Sequence, residues 1–173
     1  RWPIRRSSDC AGRRCTIIFD PAGEAFTQKT AKELAAYEQL ILICGHYEGF
    51  DARVYDLADR LISVGDFVLT GGEIPAMLVV DATARMLPGV LGDDTSAPTD
   101  SFFDVLLGYP QYTRPREFEG KPVPEVLLSG NHAEIARWRR EQSLLATMRH
   151  RPELLPMAKL TRDDLMFLAK QEE

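Results

Sequence analysis

Residues 63–75 read SVGDFVLTGGEIP and place three glycines around a short apolar run. Glycine occurs where the backbone takes a positive φ or where another group must approach it closely. A strand that only crosses a core does not need glycine on both sides. The stretch therefore predicts a pocket lined by main-chain atoms, with FVLT (67–70) as a buried strand between the two glycine turns.

Composition sets the class of protein. The chain has 173 residues, of which 45% are apolar and 27% charged, as in ordinary soluble domains. It contains no apolar run of about 20 residues, so no membrane span is predicted. Cys10, Cys15 and Cys44 form no CxxC pair and are odd in number, which favours a reducing compartment, the cytoplasm, over disulfides or zinc. The three histidines are scattered, so no metal cluster is predicted.

Charge is unevenly distributed although the net charge is only −5. Residues 1–14 carry five arginines against one acid, and residues 137–151 carry five arginines and His150 against Glu141. This asymmetry predicts two basic contact zones, with solvated helix faces as the alternative. The second zone consists of Arg137, Arg139, Arg140, Arg149 and Arg151.

The first half of the chain has an α/β pattern. CTIIF (15–19) predicts a strand, KTAKELAAYEQ (29–39) a helix, and LILIC (40–44) a strand buried on both faces. Strand, helix and strand in this order predict a βαβ unit with a parallel sheet. Two further helices are predicted, at 52–60 and from about Glu73 to Met86.

The second half differs in character. GDDTSAPTDS (92–101) is small, polar and turn-forming, and predicts a linker between a domain at 1–91 and a mainly helical domain at 102–173. Asn131–Glu134 has the form of a capping box, and Thr161 opens a last helix.

Two loops, CGHYEG (44–49) and SVGDFVLTGGE (63–73), accompany the predicted buried strands. Ligands of open parallel sheets bind at the carboxyl ends of strands, so we expect the two loops to form one cleft. The dinucleotide and phosphate-loop signatures are both missing from the sequence. This favours an adenosine-type ligand held by main-chain groups, although generic α/β turns also contain glycines.

Several longer motifs carry a resemblance: LILICGHYEGFDARV (40–54), SVGDFVLTGGEIPAM (63–77), PGVLG (88–92), QYTRP (111–115) and LLSGNHAEIARWRREQSL (127–144). They resemble the bacterial tRNA (guanine-N1)-methyltransferase family (TrmD), of the SPOUT class. The resemblance runs from about Cys15 to the C-terminus, and the first fourteen residues show no clear match. It implies an α/β parallel sheet with a deep C-terminal trefoil knot, followed by a small, mainly helical domain.

The resemblance also implies a cofactor and its contacts. The family transfers a methyl group from S-adenosylmethionine to guanine N1 of the guanosine immediately 3′ of the anticodon. Main-chain groups of the two loops would read the adenine edge, and apolar side chains would form the walls. The matching positions are Pro21, Gly45, Val64, Gly65, Asp66, Phe67, Val68, Leu69, Gly71, Gly72 and Pro75.

Three catalytic positions follow from the same resemblance. Asp100 matches the general base that removes the N1 proton, and a solvated turn residue is the alternative. Arg85 matches the arginine that stabilises charge on the purine O6, and an exposed helix arginine is the alternative. Glu48 matches a position near the target guanine. The family also implies Mg²⁺ dependence, and Glu48 is the candidate to organise that ion.

The resemblance further implies tRNA as a partner and a homodimer with each active site shared between chains. Two features depart from the family. Its first several dozen residues, with a glycine-rich loop, have no counterpart here, and His46 stands where many relatives have arginine. A SPOUT enzyme acting on the ribose 2′-OH and a catalytically silent RNA-binding module are the two alternative functions.

Overall fold

The computed structural model describes residues 12–46, 49–92 and 99–171, and the chain divides into two compact units, Arg1–Asp94 and Thr95–Glu173. No helix in the described part of the chain is long and apolar enough to cross a membrane. The elements of the first unit are β1 (Arg14–Ala25), α1 (Gln28–Leu34), β2 (Gln39–Ile43), a 3₁₀ helix (Ala52–Leu57), β3 (Arg60–Ser63) and α2 (Glu73–Ala84).

The sheet of the first unit is parallel, as predicted. β1 lies in the centre and pairs with β2 on one side and β3 on the other. The expected burial of β2 on both faces is wrong, since the strand is half-buried along its length. β2 is an edge strand of this sheet, whereas central β1 contributes the fully buried Ile17 and Ile18.

The core joins every main element of this unit. Burial of each large apolar side chain contributes about 1.5–3 kcal/mol to folding. At the sheet edge, the Arg60 guanidinium donates to Glu24 at 2.6 Å and to Glu33 at 3.1 Å, which connects β3 to β1 and α1. These bonds, the one to Glu24 above all, raise the pKa of Arg60. The buried cluster consists of Cys15, Ile17, Leu34, Ile62 and Val79.

The predicted strand at 67–70 is wrong. β3 ends at Ser63, which pairs with Ala25, the last residue of β1. The chain beyond Ser63 therefore has no further β1 partner. Gly65 then takes a φ of 147°, and Val68 is 90% exposed. Residues 64–70 are a loop.

The two predicted helices before α2 are shorter than expected. α1 ends at Leu34 instead of residue 39, because the backbone N–H groups of Glu38 and Gln39 donate to the carbonyl of Arg13. The helix predicted at 52–60 is a 3₁₀ helix that ends at Leu57, because Arg60 already belongs to β3.

The second unit contains a short hairpin and several helices. The predicted helix starts at Asn131 and Thr161 are confirmed, since each side chain accepts a backbone N–H of the first turn. The elements are β4 (Glu117–Phe118), β5 (Lys121–Pro122), α3 (Glu125–Leu128), α4 (His132–His150), a 3₁₀ helix (Pro152–Met157) and α5 (Arg162–Ala169).

A buried carboxylate ties α5 to α4. Asp164 is 6% exposed and accepts from Arg140 at 2.9 and 3.2 Å and from the backbone N–H of Thr161 at 2.8 Å. Burial alone would raise the pKa of Asp164, but the bonds from Arg140 and Thr161 outweigh it and hold that pKa below its ordinary value. The ionised carboxylate therefore stabilises this unit.

We expect Asp164→Asn to lower the free energy of unfolding by about 2 kcal/mol at pH 7, because a charged acceptor of several bonds is lost. The folded-state pKa is depressed, so this contribution is complete above the unfolded value near pH 4 and disappears as pH falls through the folded value. Urea denaturation of wild type and Asp164→Asn at pH 7 and at pH 3 measures the difference in free energy of unfolding at each pH. Asp163→Asn, an exposed neighbour on α5, is the control. A pH-independent difference would contradict the assignment.

Candidate active site

A cavity of about 380 Å³ lies in the first unit, beside the carboxyl ends of β2 and β3. Both glycine-containing loops contribute to its wall, as the cleft prediction requires. Of the predicted cofactor positions, Asp66 is not part of this lining. The others line it: Pro21, Gly45, Val64, Gly65, Phe67, Val68, Leu69, Gly71, Gly72 and Pro75.

The two loops cross in direct backbone contact. The N–H of Gly72 donates to the carbonyl of Gly45 at 3.0 Å, and His46 forms an isolated β-bridge with Gly71. A Cβ at position 72 would lie 2.6 Å from the Cα of Cys44. Real Cβ atoms do not approach backbone so closely, so this crossing requires glycine at position 72.

A side-chain contact adds to the crossing. Nε2 of His46 lies 2.6 Å from Oε1 of Glu73, the first residue of α2. Both side chains are more than half exposed, so the pair contributes about 0–1 kcal/mol. Burial, and next the charge of Glu73, raise the pKa of the nearby Cys44 thiol. The thiol is therefore held in its neutral form.

Several residues of the cavity wall were not among the predicted cofactor positions, and Asp20, Phe50 and Tyr55 are three of them. The Tyr55 hydroxyl donates to one oxygen of Asp20, which raises the pKa of Tyr55, and the backbone N–H of Ala22 donates to the other oxygen at 2.8 Å. The Phe50 ring meets Tyr55 edge-on at 6.1 Å. The sequence contains a signal for Asp20, because a polar residue that directly follows the apolar run at 15–19 is expected near the ligand side of a parallel sheet.

Arg85 caps the C-terminal end of α2, and its backbone N–H donates to the carbonyl of Asp81. It is half-buried and is not part of the cavity lining. With a rise of 1.5 Å per residue, Arg85 lies about 18 Å along the helix from Glu73. Glu48 lies outside the described residues.

Asp100 belongs to the second unit and lines a groove of about 280 Å³ there, together with Thr99, Tyr109 and Arg139. The loop that follows Asp100 has an unusual backbone. Phe102 and Val105 have φ values of 67° and 77°. A β-branched residue at positive φ is a true outlier, and such strain costs on the order of 1–3 kcal/mol per residue.

The arginines of the second basic zone differ in their surroundings. Arg140 is committed to Asp164, and the guanidinium of Arg151 donates to Glu153. Arg139 lies 4.9 Å over the ring of Tyr109, an arrangement that orders the guanidinium without neutralising it. Arg137 is highly exposed and reaches Glu141 only at 4.0 Å.

A comparison of the whole sequence with known proteins shows the family. The sequence profile described as tRNA (guanine-1)-methyltransferase TrmD matches residues 5–157. The chain belongs to the tRNA (guanine-1)-methyltransferase family. The match begins before residue 14, so the expectation that the first fourteen residues have no family counterpart is wrong.

Individual relatives support the family assignment. A tRNA (guanine-N(1)-)-methyltransferase of Lactobacillus delbrueckii subsp. bulgaricus is 51% identical over 172 residues, which cover 99% of this chain and 70% of the relative. The protein of the same name from Moorella thermoacetica is 59% identical over 159 residues, with 91% of this chain and 64% of the relative covered. Membership of this methyltransferase family implies S-adenosylmethionine as the methyl donor.

The residues of the cavity suit this donor. Main-chain N–H and C=O groups of the two crossing loops can pair with an adenine edge, and Phe67 and Leu69 offer apolar walls. The described part of the chain contains no group of three His, Cys, Asp or Glu side chains that could hold a metal ion. These residues therefore give Mg²⁺ no cluster of protein ligands.

We expect Gly72→Ala to separate the two loops, because its Cβ would meet the Cys44 backbone. Stability should fall by about 1–3 kcal/mol, as for other overpacked sites. Affinity for S-adenosylhomocysteine should fall about tenfold or more, since 1.4 kcal/mol corresponds to a factor of ten. Thermal unfolding and titration calorimetry measure the two effects.

Gly92→Ala is the matched control, because a Cβ there has no atom within 4 Å and the backbone is not in the left-handed region. It should change stability by less than about 0.5 kcal/mol. Wild-type cofactor affinity in folded Gly72→Ala protein would show that the crossing does not shape the cavity.

Proposed function

We propose that the protein methylates guanine N1 of the guanosine immediately 3′ of the anticodon in tRNA, with S-adenosylmethionine as donor. The observation that carries the proposal is the cavity at the two-loop crossing, in a chain of the tRNA (guanine-1)-methyltransferase family. Ten of the eleven positions at which the family resemblance implies cofactor contacts line this cavity. The free thiols of buried Cys15 and half-buried Cys44 are in keeping with a cytoplasmic protein.

S-adenosylmethionine, when bound, would supply the methyl group, which would pass from its sulfur to guanine N1 and leave S-adenosylhomocysteine as the second product. N1 carries a proton at neutral pH, so attack requires a base. In this proposal Asp100 accepts that proton, and Arg85 stabilises the charge that develops on O6. Glu48 lies near the target guanine in this proposal.

The proposal includes a homodimer. Apolar side chains of α2 remain exposed in the single chain, namely Ile74, Met77, Leu78 and Val80. A helix that is apolar on most sides is normally buried, so this face favours a second copy as its partner. A two-fold dimer would allow one chain to supply the cavity and the other to supply Asp100.

The deep knot and the division of labour between domains are also part of the proposal. The backbone crossing of Gly72 against Cys44 is the kind of contact that a threaded chain needs. We assign residues 1–91 to cofactor binding, 92–101 to a linker and 102–173 to tRNA binding. Within the last range, Arg137 and Arg139 are candidates for phosphate contacts, whereas Arg140 is bound to Asp164.

Mixing two inactive variants tests the shared site. Leu69→Trp fills the cavity, and Asp100→Ala removes the base and should slow methyl transfer by a factor on the order of 10² or more. In a mixed dimer, one site combines an intact cavity with an intact Asp100. If equal amounts exchange at random, about half of the dimers are mixed and each of them has one intact site. About a quarter of all sites should therefore be active. Single-turnover assays with nucleoside analysis of the tRNA measure the amount of 1-methylguanosine.

Two differently tagged Asp100→Ala preparations, mixed in the same way, are the control and should remain inactive. Asp100→Ala alone should bind S-adenosylhomocysteine like wild type. Wild-type turnover by Asp100→Ala would exclude Asp100 as the base. Mixed dimers that stay as inactive as both parents would exclude the shared site.

The tRNA contacts are tested by salt dependence. Replacing both Arg137 and Arg139 by Gln should make the plot of log affinity against log salt concentration shallower by about 1–2, because roughly 0.7–0.9 counterions are released per phosphate contact. Affinity for S-adenosylhomocysteine should not change. Filter binding at several salt concentrations measures the slope.

Arg53→Gln removes a positive charge from the first unit, where Arg53 is paired with Asp51. It should leave the slope of the tRNA titration unchanged. If the double variant and wild type have the same slope, Arg137 and Arg139 are solvated surface residues that do not contact tRNA phosphates.

A further inference from the structure

The strained loop after Asp100 is fastened at defined points. We call residues 100–108 the Asp100 loop. Its two ends are joined by a bond from the N–H of Gly108 to Oγ of Ser101 at 2.8 Å, and by one from the N–H of Phe102 to the carbonyl of Leu106 at 2.7 Å. These bonds close the loop on itself but do not attach it to the rest of the unit.

One attachment to α4 is made by Thr147. Its Oγ1 accepts from the backbone N–H of Leu107 at 3.0 Å and donates to the carbonyl of Ser143 at 2.7 Å. Thr147 is fully buried, and the neighbouring Leu106 is 5% exposed. The hydroxyl has one hydrogen, so its donation to Ser143 leaves its lone pairs as the acceptor for Leu107.

A buried hydroxyl with both functions satisfied is costly to replace and specifies one position of its partners. Phe102 and Val105 keep positive φ values only if surrounding contacts over-determine them. The bond from Leu107 to Thr147 is one of these contacts, and it connects the loop directly to α4. Losing it would leave the Leu107 N–H without this acceptor and loosen the hold of the helix on the loop.

We propose that Thr147 is a positioning residue that holds the Asp100 loop in the geometry needed for proton removal from guanine N1. This proposal rests on the proposed function, because it assumes that Asp100 is the base. Thr147 itself touches neither cofactor nor guanine in this mechanism; it acts through Leu107 and the loop.

The test compares three variants of the full-length protein. Thr147→Val keeps the shape but removes the hydroxyl, Thr147→Ser keeps the hydroxyl, and Leu144→Val removes one methylene from a fully buried neighbour on the same helix. Thr147→Val should lower kcat on the order of tenfold, because small misplacement of a catalytic group is enough for such a loss. Thr147→Ser should restore it, and cofactor affinity should stay unchanged in all three.

A second readout does not depend on activity. Amide hydrogen exchange at Leu107 should be slow in wild type and Thr147→Ser, and at least tenfold faster in Thr147→Val, while exchange in β1 is unchanged. Leu144→Val should leave both kcat and Leu107 exchange near wild type despite its lower melting temperature. If Thr147→Val does not fold, fast exchange of the Leu107 amide in wild type would by itself show that Thr147 does not hold the Asp100 loop.

The outcomes separate the two proposals. Wild-type kcat in Thr147→Val, or an equal loss in Leu144→Val, would overturn the positioning role. Full activity of Asp100→Ala would instead overturn the proposed function, and the exchange measurement would still decide whether Thr147 anchors the loop.

Discussion

The close crossing of two backbone segments is the constraint on which the cofactor cavity depends. Gly72 packs against the Cα of Cys44 and donates to the carbonyl of Gly45, which brings together loops that lie 27 residues apart. Because no side chain fits between the segments, their carbonyl and N–H groups can face the cavity. A cavity of this kind can recognise an adenosine group without the glycine-rich phosphate signature of dinucleotide-binding folds.

The second unit is organised by polar contacts more than by a large apolar core. Asp164 joins α4 and α5 through Arg140, and Thr147 joins α4 to the loop that carries Asp100. Buried polar groups of this kind specify one geometry when each is satisfied. Such precision suits a unit whose proposed task is to present a base, whereas the first unit mainly has to supply a shaped cavity.

Tertiary contacts give the arginines of the second basic zone different partners. Five of them lie between 137 and 151, and by sequence all five are equally good candidates for phosphate contacts. Arg140 is engaged with Asp164 and Arg151 with Glu153, whereas Arg139 is ordered over Tyr109. The charge pattern indicated a basic zone, but only the folded unit distinguishes structural arginines from those available to RNA.

The sequence by itself determined the parallel βαβ core, the helix starts at Asn131 and Thr161, and the cavity-lining glycine loops. These features depend on local signals: apolar runs, capping side chains and glycine spacing. It misassigned residues 67–70 as a strand and missed Tyr55 in the cavity wall. The tertiary structure decided both, because strand pairing ends where β1 ends, and the bond that holds Tyr55 at the cavity wall is made with Asp20, 35 residues away.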